Sequence, residues 1–411
     1  MRLTVPANYD SALLPRLREH GVFEVYGKLP SDVVGGGRPT YMSTPIGKRE
    51  LSRYLDAAHG AGLEFNYLLN AACLGNREWT RSFHTNLGRL LDWLAEIQVD
   101  SVTVVAPYLL QIVKRRYPRL KVKVGIYAQV DTVKRAVFWE DLGADAINLE
   151  SFSINRDLDK LARIRAAVRC DLPLIANHFC QPNCPYQIQH QNGHAHASEE
   201  RHRFLIDYPL LQCHKRRLGD PALFISAGWI RPEDVHHYEA LGYQTFKLLE
   251  RNIPSDALLE RVKAYAARRF DGNLAELLLS WGFKRHPPRF SWHHFLRTFG
   301  PWRVSPTRYG LIRRFLQAQG MFFTRVSDVP PIVIDSSRIP EAFFEHFRNG
   351  SCSDRTCATC GYCSRVASQA VRVDPAFLEE VMPLYRSLES LLVDGEMWRV
   401  FGRSASEHAP R

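Results

Sequence analysis

Four of the nine cysteines in this 411-residue chain lie within twelve residues, in the segment CSDRTCATCGYC. Cys352, Cys357, Cys360 and Cys363 follow the spacing C-x4-C-x2-C-x2-C. Such crowding serves either a disulfide scaffold or a metal held by thiolates. No basic-then-apolar leader opens the sequence, so we expect a cytoplasmic protein with reduced thiols. That compartment and the odd cysteine count favour a metal.

The spacing of these four cysteines also bears on the metal. Four thiolates satisfy either zinc or a 4Fe–4S cluster. Structural zinc usually takes two C-x2-C pairs separated by a longer loop, whereas here all four cysteines lie in one tight wrap. Gly361 lies inside the wrap, where backbone amides can approach sulfur. We therefore expect 4Fe–4S at this segment, with zinc as the alternative.

A second group of cysteines lies in residues 177–217, which begin NHFCQPNC. Cys180, Cys184 and Cys213 could anchor a second cluster, and Cys73 could close the set as a fourth ligand. A histidine could complete the site instead, and the candidates are His178, His190, His194, His196, His202 and His214. The alternative is that these are surface histidines and small buried thiols.

The elements that must position these residues repeat one rhythm over the first 250 residues. Short β-branched runs alternate with amphipathic helical patterns that often end on glycine. The predicted strands are residues 2–7, 23–27, 64–70, 101–107, 121–129, 145–151, 172–178, 223–229 and 244–250. Alternation of this kind demands a parallel sheet covered by helices. The number of units predicts an α/β fold, a (β/α)8 TIM-like barrel in regular or distorted form.

In such a barrel the chemistry lies where the strands end. The polar residues predicted at those ends, and hence the candidate catalytic residues, are Asn8, Asn70, Gln129, Glu150, His178 and Arg251. Cys180, Cys184 and Cys213 follow a strand end too, so we name them the mouth cysteines. Triglycine 35–37 lacks the spacing of a dinucleotide-binding loop and predicts only a flexible turn.

The rhythm stops near residue 255, which divides the chain into a barrel and an extension. We expect a barrel over 1–255 with a metal-binding insertion at 178–217, a helical extension over 256–340, and a cysteine-cluster segment over 341–411. Residues 284–320 carry eight Lys or Arg, seven aromatic residues and no acidic residue, within a chain of net charge +11. This composition suits an RNA partner, or a helical segment that buries its rings. No membrane span is expected.

Several motifs occur in an order typical of one known family. VPAN (5–8), LLN (68–70), YAQ (127–129), NLES (148–151), NHFC (177–180) and FKLLER (246–251) follow one another along the chain. In this respect the sequence resembles the collagenase-like peptidase family U32, over about residues 2–265. The resemblance implies an incomplete barrel that binds 4Fe–4S through Cys180, Cys184 and Cys213, with Arg251 at the mouth. Cys352–Cys363 lies outside that common region and suggests a branch with a second centre.

Three functions follow from these patterns and the resemblance. The first is an iron–sulfur oxidoreductase that hydroxylates or oxidises a small organic or RNA substrate without oxygen, with an electron donor or a partner subunit of the same family. The second is a peptidase, although the sequence has no G-x-S-x-G elbow and no H-E-x-x-H helix. The third is an RNA-binding accessory protein whose clusters are structural.

Overall fold

The structure is a computed structural model that describes residues 1–198, 205, 207–250, 253–278, 296, 299–302, 304–314, 330–348, 352 and 356–395. Eight parallel strands form one curled sheet in the order β6-β5-β4-β3-β2-β1-β8-β7. Their bounds are β1 Arg2–Pro6, β2 Val22–Gly27, β3 Glu64–Leu69, β4 Ser101–Val104, β5 Lys121–Val124, β6 Ala146–Ile147, β7 Leu174–Ile175 and β8 Thr245–Lys247. The predicted TIM-like barrel is confirmed.

Helices follow the strands as the alternating pattern predicts. Those of the barrel are α1 Leu14–Glu19, α2 Lys48–Gly60, α3 Arg81–Glu96, α4 Pro107–Arg116, α5 Val133–Asp141, α6 Leu158–Ala167, α7 Gln187–Ala197, α8 Tyr208–Gly219, α9 Ala222–Ile225, α10 Val235–Ala240 and α11 Ser255–Ala267. The amphipathic helix α3 shows how they pack, because it buries Phe83, Leu87, Leu91 and Leu94 along one stripe. No helix among the described residues is both long and apolar enough to cross a bilayer.

The barrel is distorted at the junction of β6 and β7. A single parallel bridge, Ala146 to Asp171, joins this side of the sheet, with Ile147 N donating to Asp171 O at 2.8 Å. Nearby, Nδ2 of the loop residue Asn155 donates to Ile175 O at 2.9 Å and to Gly228 O at 2.7 Å. The loop after β6 is therefore tied to the end of β7 by an amide side chain.

One predicted strand is wrong. Residues 223–229 form the end of helix α9 and an irregular segment, not a strand. The apolar run LFI suits a buried helical turn as well as a strand, and periodicity cannot separate the two over so few residues. Phe224 and Ile225 are fully buried, so the run fills the core as predicted but without pairing to the sheet.

Polar side chains fill part of the barrel interior. Glu24 of β2 accepts from Thr4 at 2.9 Å and from Ser101 at 3.2 Å, and it pairs with Lys123 of β5. Asn66 of β3 donates to Ser101 at 2.7 Å. These residues come from five adjacent strands and lie on one face of the sheet. Because both charges are buried, each depends on the other for compensation.

The region after α11 packs on the barrel. It contains α12 Ala275–Leu278, α13 Glu345–Arg348, α14 Cys357–Cys360, α15 Tyr362–Ala370 and α16 Pro375–Val393. The predicted extended segment at 330–337 contains β9 Ile332–Ile334, which pairs antiparallel with β10 Val371–Val373. Helix α15 packs on α9 and α16 packs on α8, so one hydrophobic core extends from Leu3 to Leu388.

Most of the basic aromatic stretch 284–320 lies outside the described residues. In its described part Phe299, Val304 and Ile312 form a small buried cluster, whereas Trp302 is exposed. The RNA-contact hypothesis for this stretch stays a prediction.

Candidate functional site

The insertion between β7 and β8 covers the carboxyl ends of the strands. Its helix α7 ends at the loop after β2, where Gly36 N donates to Ser198 Oγ at 2.7 Å. Gly37 O in the same loop accepts at 3.3 Å from Tyr127, which follows β5. That loop is anchored from below by Lys28, whose Nζ lies 3.0 Å from Asp32 Oδ2 and donates to Gly35 O at 2.6 Å. Triglycine 35–37 is thus a close contact between the barrel and its cover, which the prediction of a flexible turn missed.

The mouth cysteines converge although 29 residues separate the last two in sequence. Burial raises the pKa of Cys180, and the thiols of Cys213 and Cys184 are among the neighbours that raise it further. Burial likewise raises the pKa of Cys213, opposed by Arg217. The guanidinium of Arg217 donates to Phe179 O and lies over the Phe179 ring. The three thiols therefore lie within electrostatic reach of one another, and Arg217 lies within reach of Cys180 and Cys213.

A serine–histidine pair lies beside this group. His178 Nδ1 is 2.5 Å from Ser151 Oγ, and the His178 ring packs edge-on against Phe152 at 4.3 Å. Burial, assisted by Arg217, lowers the pKa of His178 to about 3. Ser151 is completely buried. Sequence reasoning missed Ser151, although its position in NLES after β6 places it opposite the residues that follow β7.

The other predicted strand-end residues have structural partners. Asn8 Nδ2 donates to Ser255 Oγ at 2.9 Å, and Asn70 Oδ1 accepts from Gly37 N at 3.3 Å. Gln129 Nε2 donates to Gln191 Oε1 at 3.4 Å. Glu150 accepts from Phe152 N at 2.7 Å, and burial raises its pKa. Their catalytic roles stay predictions.

Two of the predicted residues, Arg251 and His202, lie outside the described part of the chain. Cys73 follows β3, and its sulfur accepts from Gly75 N at 3.3 Å. The same loop approaches α7, because a Cβ placed at Gly75 would lie 3.8 Å from His196 Cε1. Its role as a fourth ligand stays a prediction.

The C-terminal cysteine group, Cys352, Cys357, Cys360 and Cys363, occupies the junction of α14 and α15. Gly361 joins the two helices at φ +60°, a left-handed conformation that favours glycine, and its N–H donates to Cys357 O at 2.9 Å. Burial raises the pKa of Cys363 to about 11; Arg156 opposes this shift and the other three cysteines add to it. The four thiols therefore lie within electrostatic reach of one another.

Aromatic side chains and one arginine support the C-terminal group. His346 stacks on Tyr362 at 3.9 Å, and its Nε2 lies 3.3 Å from Cys360 Sγ. Arg156, from the loop before α6, donates to Ile225 O at 2.7 Å and lies between the rings of Trp229 and Phe347, at 4.6 and 4.8 Å. This buried arginine connects the barrel to the C-terminal group. No motif marked it in the sequence.

None of the nine cysteines forms a disulfide, and all nine lie among the described residues. Thiolates are ligands of both zinc and 4Fe–4S clusters, so the donor set fits a soft metal at both groups.

Buried donors without acceptors concentrate in the insertion. Among the described residues, Gln181 Nε2, Gln187 Nε2, Gln191 Nε2 and Arg217 Nε are buried with no hydrogen-bond partner. All four are N–H groups, which want an acceptor. Buried polar groups are normally paired, so this part of the molecule has the donor pattern of a site for an oxygen-rich ligand.

Comparisons with known proteins agree on one family. The sequence model of peptidase family U32 matches residues 41–175. A protein of Methanocaldococcus jannaschii described as an uncharacterized protease is 35% identical over 256 residues, which are 62% of this chain and 75% of that protein.

Two solved structures are also similar. A U32 peptidase has 21% identity and a TM-score of 0.47, over 62% of this chain and 94% of that one. Phosphoribosyl anthranilate isomerase from Thermus thermophilus has 13% identity and a TM-score of 0.36, over 65% and 98%. On the extent of the sequence identity to the archaeal relative, this chain belongs to peptidase family U32.

Proposed function

We propose that this chain is an iron–sulfur member of family U32 that oxidises or hydroxylates a substrate at the barrel mouth without oxygen. The observation that carries the proposal is the convergence of Cys180, Cys184 and Cys213 where the strands end. Thiols near the substrate-binding end of a barrel place a redox cofactor next to bound substrate.

The residues present fit such a cofactor at both groups. The mouth supplies three thiols, with Cys73 or a histidine of the insertion as the proposed fourth ligand. The C-terminal group supplies four thiols in one wrap. Zinc at the C-terminal group remains the alternative, and the tight sequence spacing of its four cysteines favours 4Fe–4S there. A bound 4Fe–4S cluster would supply single-electron transfer.

The protein's own residues bind and orient the substrate. The unpaired N–H groups of Gln181, Gln187, Gln191 and Arg217 would donate to an acceptor-rich, anionic molecule. The proposed substrate is a small organic acid or an RNA nucleotide, both of which offer such oxygens. With water as the oxygen source, replacing C–H by C–OH releases two protons and two electrons. An electron-accepting redox protein or partner subunit must then take up those electrons.

The test starts with anaerobic purification, followed by iron and sulfide analysis and an absorption spectrum. We expect more than four irons per chain if both groups are loaded. The triple variant C180S/C184S/C213S should lose the mouth iron and any substrate oxidation. Iron-free protein, or oxidation that survives this variant, would contradict the proposal.

A peptidase is the second candidate, and the contact between Ser151 and His178 favours it together with the description of the archaeal relative as a protease. A hydroxyl in contact with imidazole is the core of a nucleophile–base pair. Two observations oppose it. Ser151 is fully buried, and a histidine with a pKa of about 3 is a weak base at neutral pH.

A peptide-cleavage assay distinguishes the two candidate functions. A peptidase built on this pair would lose cleavage in S151A and keep it in C180S/C184S/C213S. The redox proposal expects no cleavage by either protein. Cleavage that depends on Ser151 alone would establish the peptidase and remove the redox proposal.

A further inference from the structure

Helix α7 brings two histidines and a carboxylate together beside the mouth. His190 Nε2 lies 2.8 Å from Asp207 Oδ2, and His194 Nε2 lies 3.2 Å from the same oxygen. The two imidazole rings meet edge-on with their centroids 4.3 Å apart. Across the described ranges, this is the one group of three His, Cys, Asp or Glu ligand atoms that all lie within 4.8 Å of one another.

The local structure explains how the three residues meet. His190 and His194 are four residues apart on α7, so they share one face of the helix. Asp207 is the N-cap of α8, where its Oδ1 accepts from Leu210 N at 3.0 Å and leaves Oδ2 for the histidines. The carboxylate is therefore fixed by a helix end.

The hydrogen bonds of His194 leave a place for a cation. Its Nδ1 lies 3.1 Å from Gly37 O, a carbonyl that can only accept, so Nδ1 carries the proton. In a neutral ring Nε2 then presents a lone pair to the Asp207 carboxylate, and two acceptors face each other. A cation between them removes that conflict. The carbonyl contact on the remote nitrogen is also the usual arrangement around a metal-bound histidine.

The distances are close to those that a metal requires. An ion bonded to nitrogen and oxygen at about 2.1 Å separates tetrahedral ligands by about 3.4 Å. The observed contacts of 2.8 and 3.2 Å need only a small outward shift of the side chains.

We infer that His190, His194 and Asp207 form a binding site for a divalent transition-metal ion at the barrel mouth, separate from both cysteine groups. Two imidazoles and one carboxylate suit zinc or ferrous iron. Three protein ligands leave at least one coordination position for water or a substrate oxygen. The site does not require the proposed iron–sulfur chemistry, and with His190 and His194 assigned here the fourth ligand of the proposed mouth cluster is Cys73 or another histidine of the insertion.

The sequence between the histidines limits what the metal does. His190 and His194 have the spacing of an H-E-x-x-H helix, but Gln191 stands where that pattern has its general-base glutamate. An amide cannot accept a proton at neutral pH. The metal therefore holds a substrate oxygen or a water and orients it, without the adjacent base of a zinc peptidase.

Zinc binding by the full-length protein tests the site. The anaerobically purified protein is incubated with zinc, passed through a desalting column and analysed for zinc, iron and sulfide. We expect about one zinc per chain above the content of H190A and H194A, with iron and sulfide unchanged, and an affinity at least about 100-fold weaker in each variant. H59A is the matched control, because His59 contacts Asp100 at 2.9 Å without a second histidine.

Two further measurements keep the test decisive. In D207N an amide oxygen still caps α8 but the charge is lost, so weaker zinc binding with an unchanged circular dichroism spectrum supports the site. Cobalt bound here should show weak visible bands without the intense near-ultraviolet absorption of a thiolate ligand. Equal zinc in the wild type and all three variants, or a thiolate band, would overturn the inference.

Discussion

The mouth cysteines and the C-terminal cysteine group differ in how the fold brings their thiols together. Cys352 and Cys357 are exposed, and the C-terminal group lies in twelve consecutive residues shaped by two short helices and Gly361. The mouth cysteines are partly buried and come from the loop after β7 and from α8. Local sequence shapes the first group, whereas the second exists only once the barrel and its insertion have folded.

This difference indicates which contacts hold each cysteine group in place. The C-terminal group depends on what holds its helices to the barrel, chiefly Arg156 and the aromatic rings around it. The mouth group depends on the barrel itself and on α8. Mutations in these two supports should therefore separate the groups.

Replacement of the cysteines should have the largest effect. C352S/C357S/C360S/C363S should lose about four irons per chain, or one zinc, and C180S/C184S/C213S should lose the iron of the mouth. Each variant should keep the other centre, because no ligand is shared. Metal and sulfide analysis of both variants and their combination checks this. Loss of all metal in either variant alone would show that the groups are not independent.

Breaking the barrel's buried ion pair should affect the mouth first. In K123M, Glu24 keeps its contacts with Thr4 and Ser101 but loses its buried counter-charge. We expect unfolding to become easier by about 3–5 kcal/mol, as for other broken buried pairs. Urea unfolding followed by circular dichroism measures this loss.

The neighbouring surface pair supplies the control for that change. Lys121 and Glu64 lie 3.2 Å apart at the exposed starts of β5 and β3, the two strands that flank β4. K121M should cost no more than about 1 kcal/mol. In proteins that retain only one centre, K123M should release mouth iron at lower urea than C-terminal iron. Equal effects of K123M and K121M would mean that the interior pair is not a support of the barrel.

Removal of Arg156 should affect the C-terminal group more than the mouth. R156M leaves Ile225 O without its donor and removes a cation that contacts three aromatic rings. We expect a loss of about 2–4 kcal/mol and faster proteolysis around α14 and α15. R163M, on the exposed face of α6, is the matched control. Limited proteolysis with mass spectrometry identifies the cleavage sites, and cleavage confined to the mouth insertion would contradict this role.

The smallest expected effect concerns the contact of the C-terminal helix α16 with α8, the helix that carries Cys213. Glu389 accepts from Gln212 at 2.8 Å and pairs with Lys215. The bond from Lys215 lowers the pKa of Glu389 although burial opposes it. A depressed carboxyl pKa adds stability above its unfolded value of about 4.3, and that stability is lost as pH falls through the lower folded value.

We therefore expect E389Q to cost less than about 1 kcal/mol at pH 7, and the difference from the wild type to shrink as pH falls from about 4.3 through the lower folded pKa. E380Q, exposed on the same helix, should show no such difference. Thermal unfolding at several pH values checks the trend. A difference that grows toward low pH would reverse the assigned sign.

Regular periodicity made much of the barrel predictable. All eight strands of the sheet coincide with predicted runs, because these strands are rich in buried apolar and β-branched residues and the helices between them are amphipathic. The false strand at 223–229 shows the limit of that signal. LFISAGW is apolar and short, and only its packing against α15 decides that it begins as a helix.

The residues of the candidate site also divide into those that the sequence predicts and those that only the structure identifies. Spacing alone marks Cys352–Cys363 as a metal-binding segment, since thiolate ligands close in sequence are necessarily close in space. Arg156, Arg217 and Asp207 belong to no motif, and nothing in NLES marks Ser151 as the partner of His178. The structure brings these four residues to their partners. Asp207 illustrates the reason, because in sequence it is an ordinary helix cap.

The sequence by itself therefore determined the alternating elements, the family and the residues able to ligate a metal, because these depend on composition and short-range order. Only the tertiary structure decided that α7 and α8 cover the barrel mouth and that His190 and His194 contact the same carboxylate oxygen of Asp207. It also decided that Arg156 joins the barrel to the C-terminal cysteines. Each of those contacts joins residues whose distance in space is set by the closure of the sheet and the packing of helices on it, which no local pattern encodes.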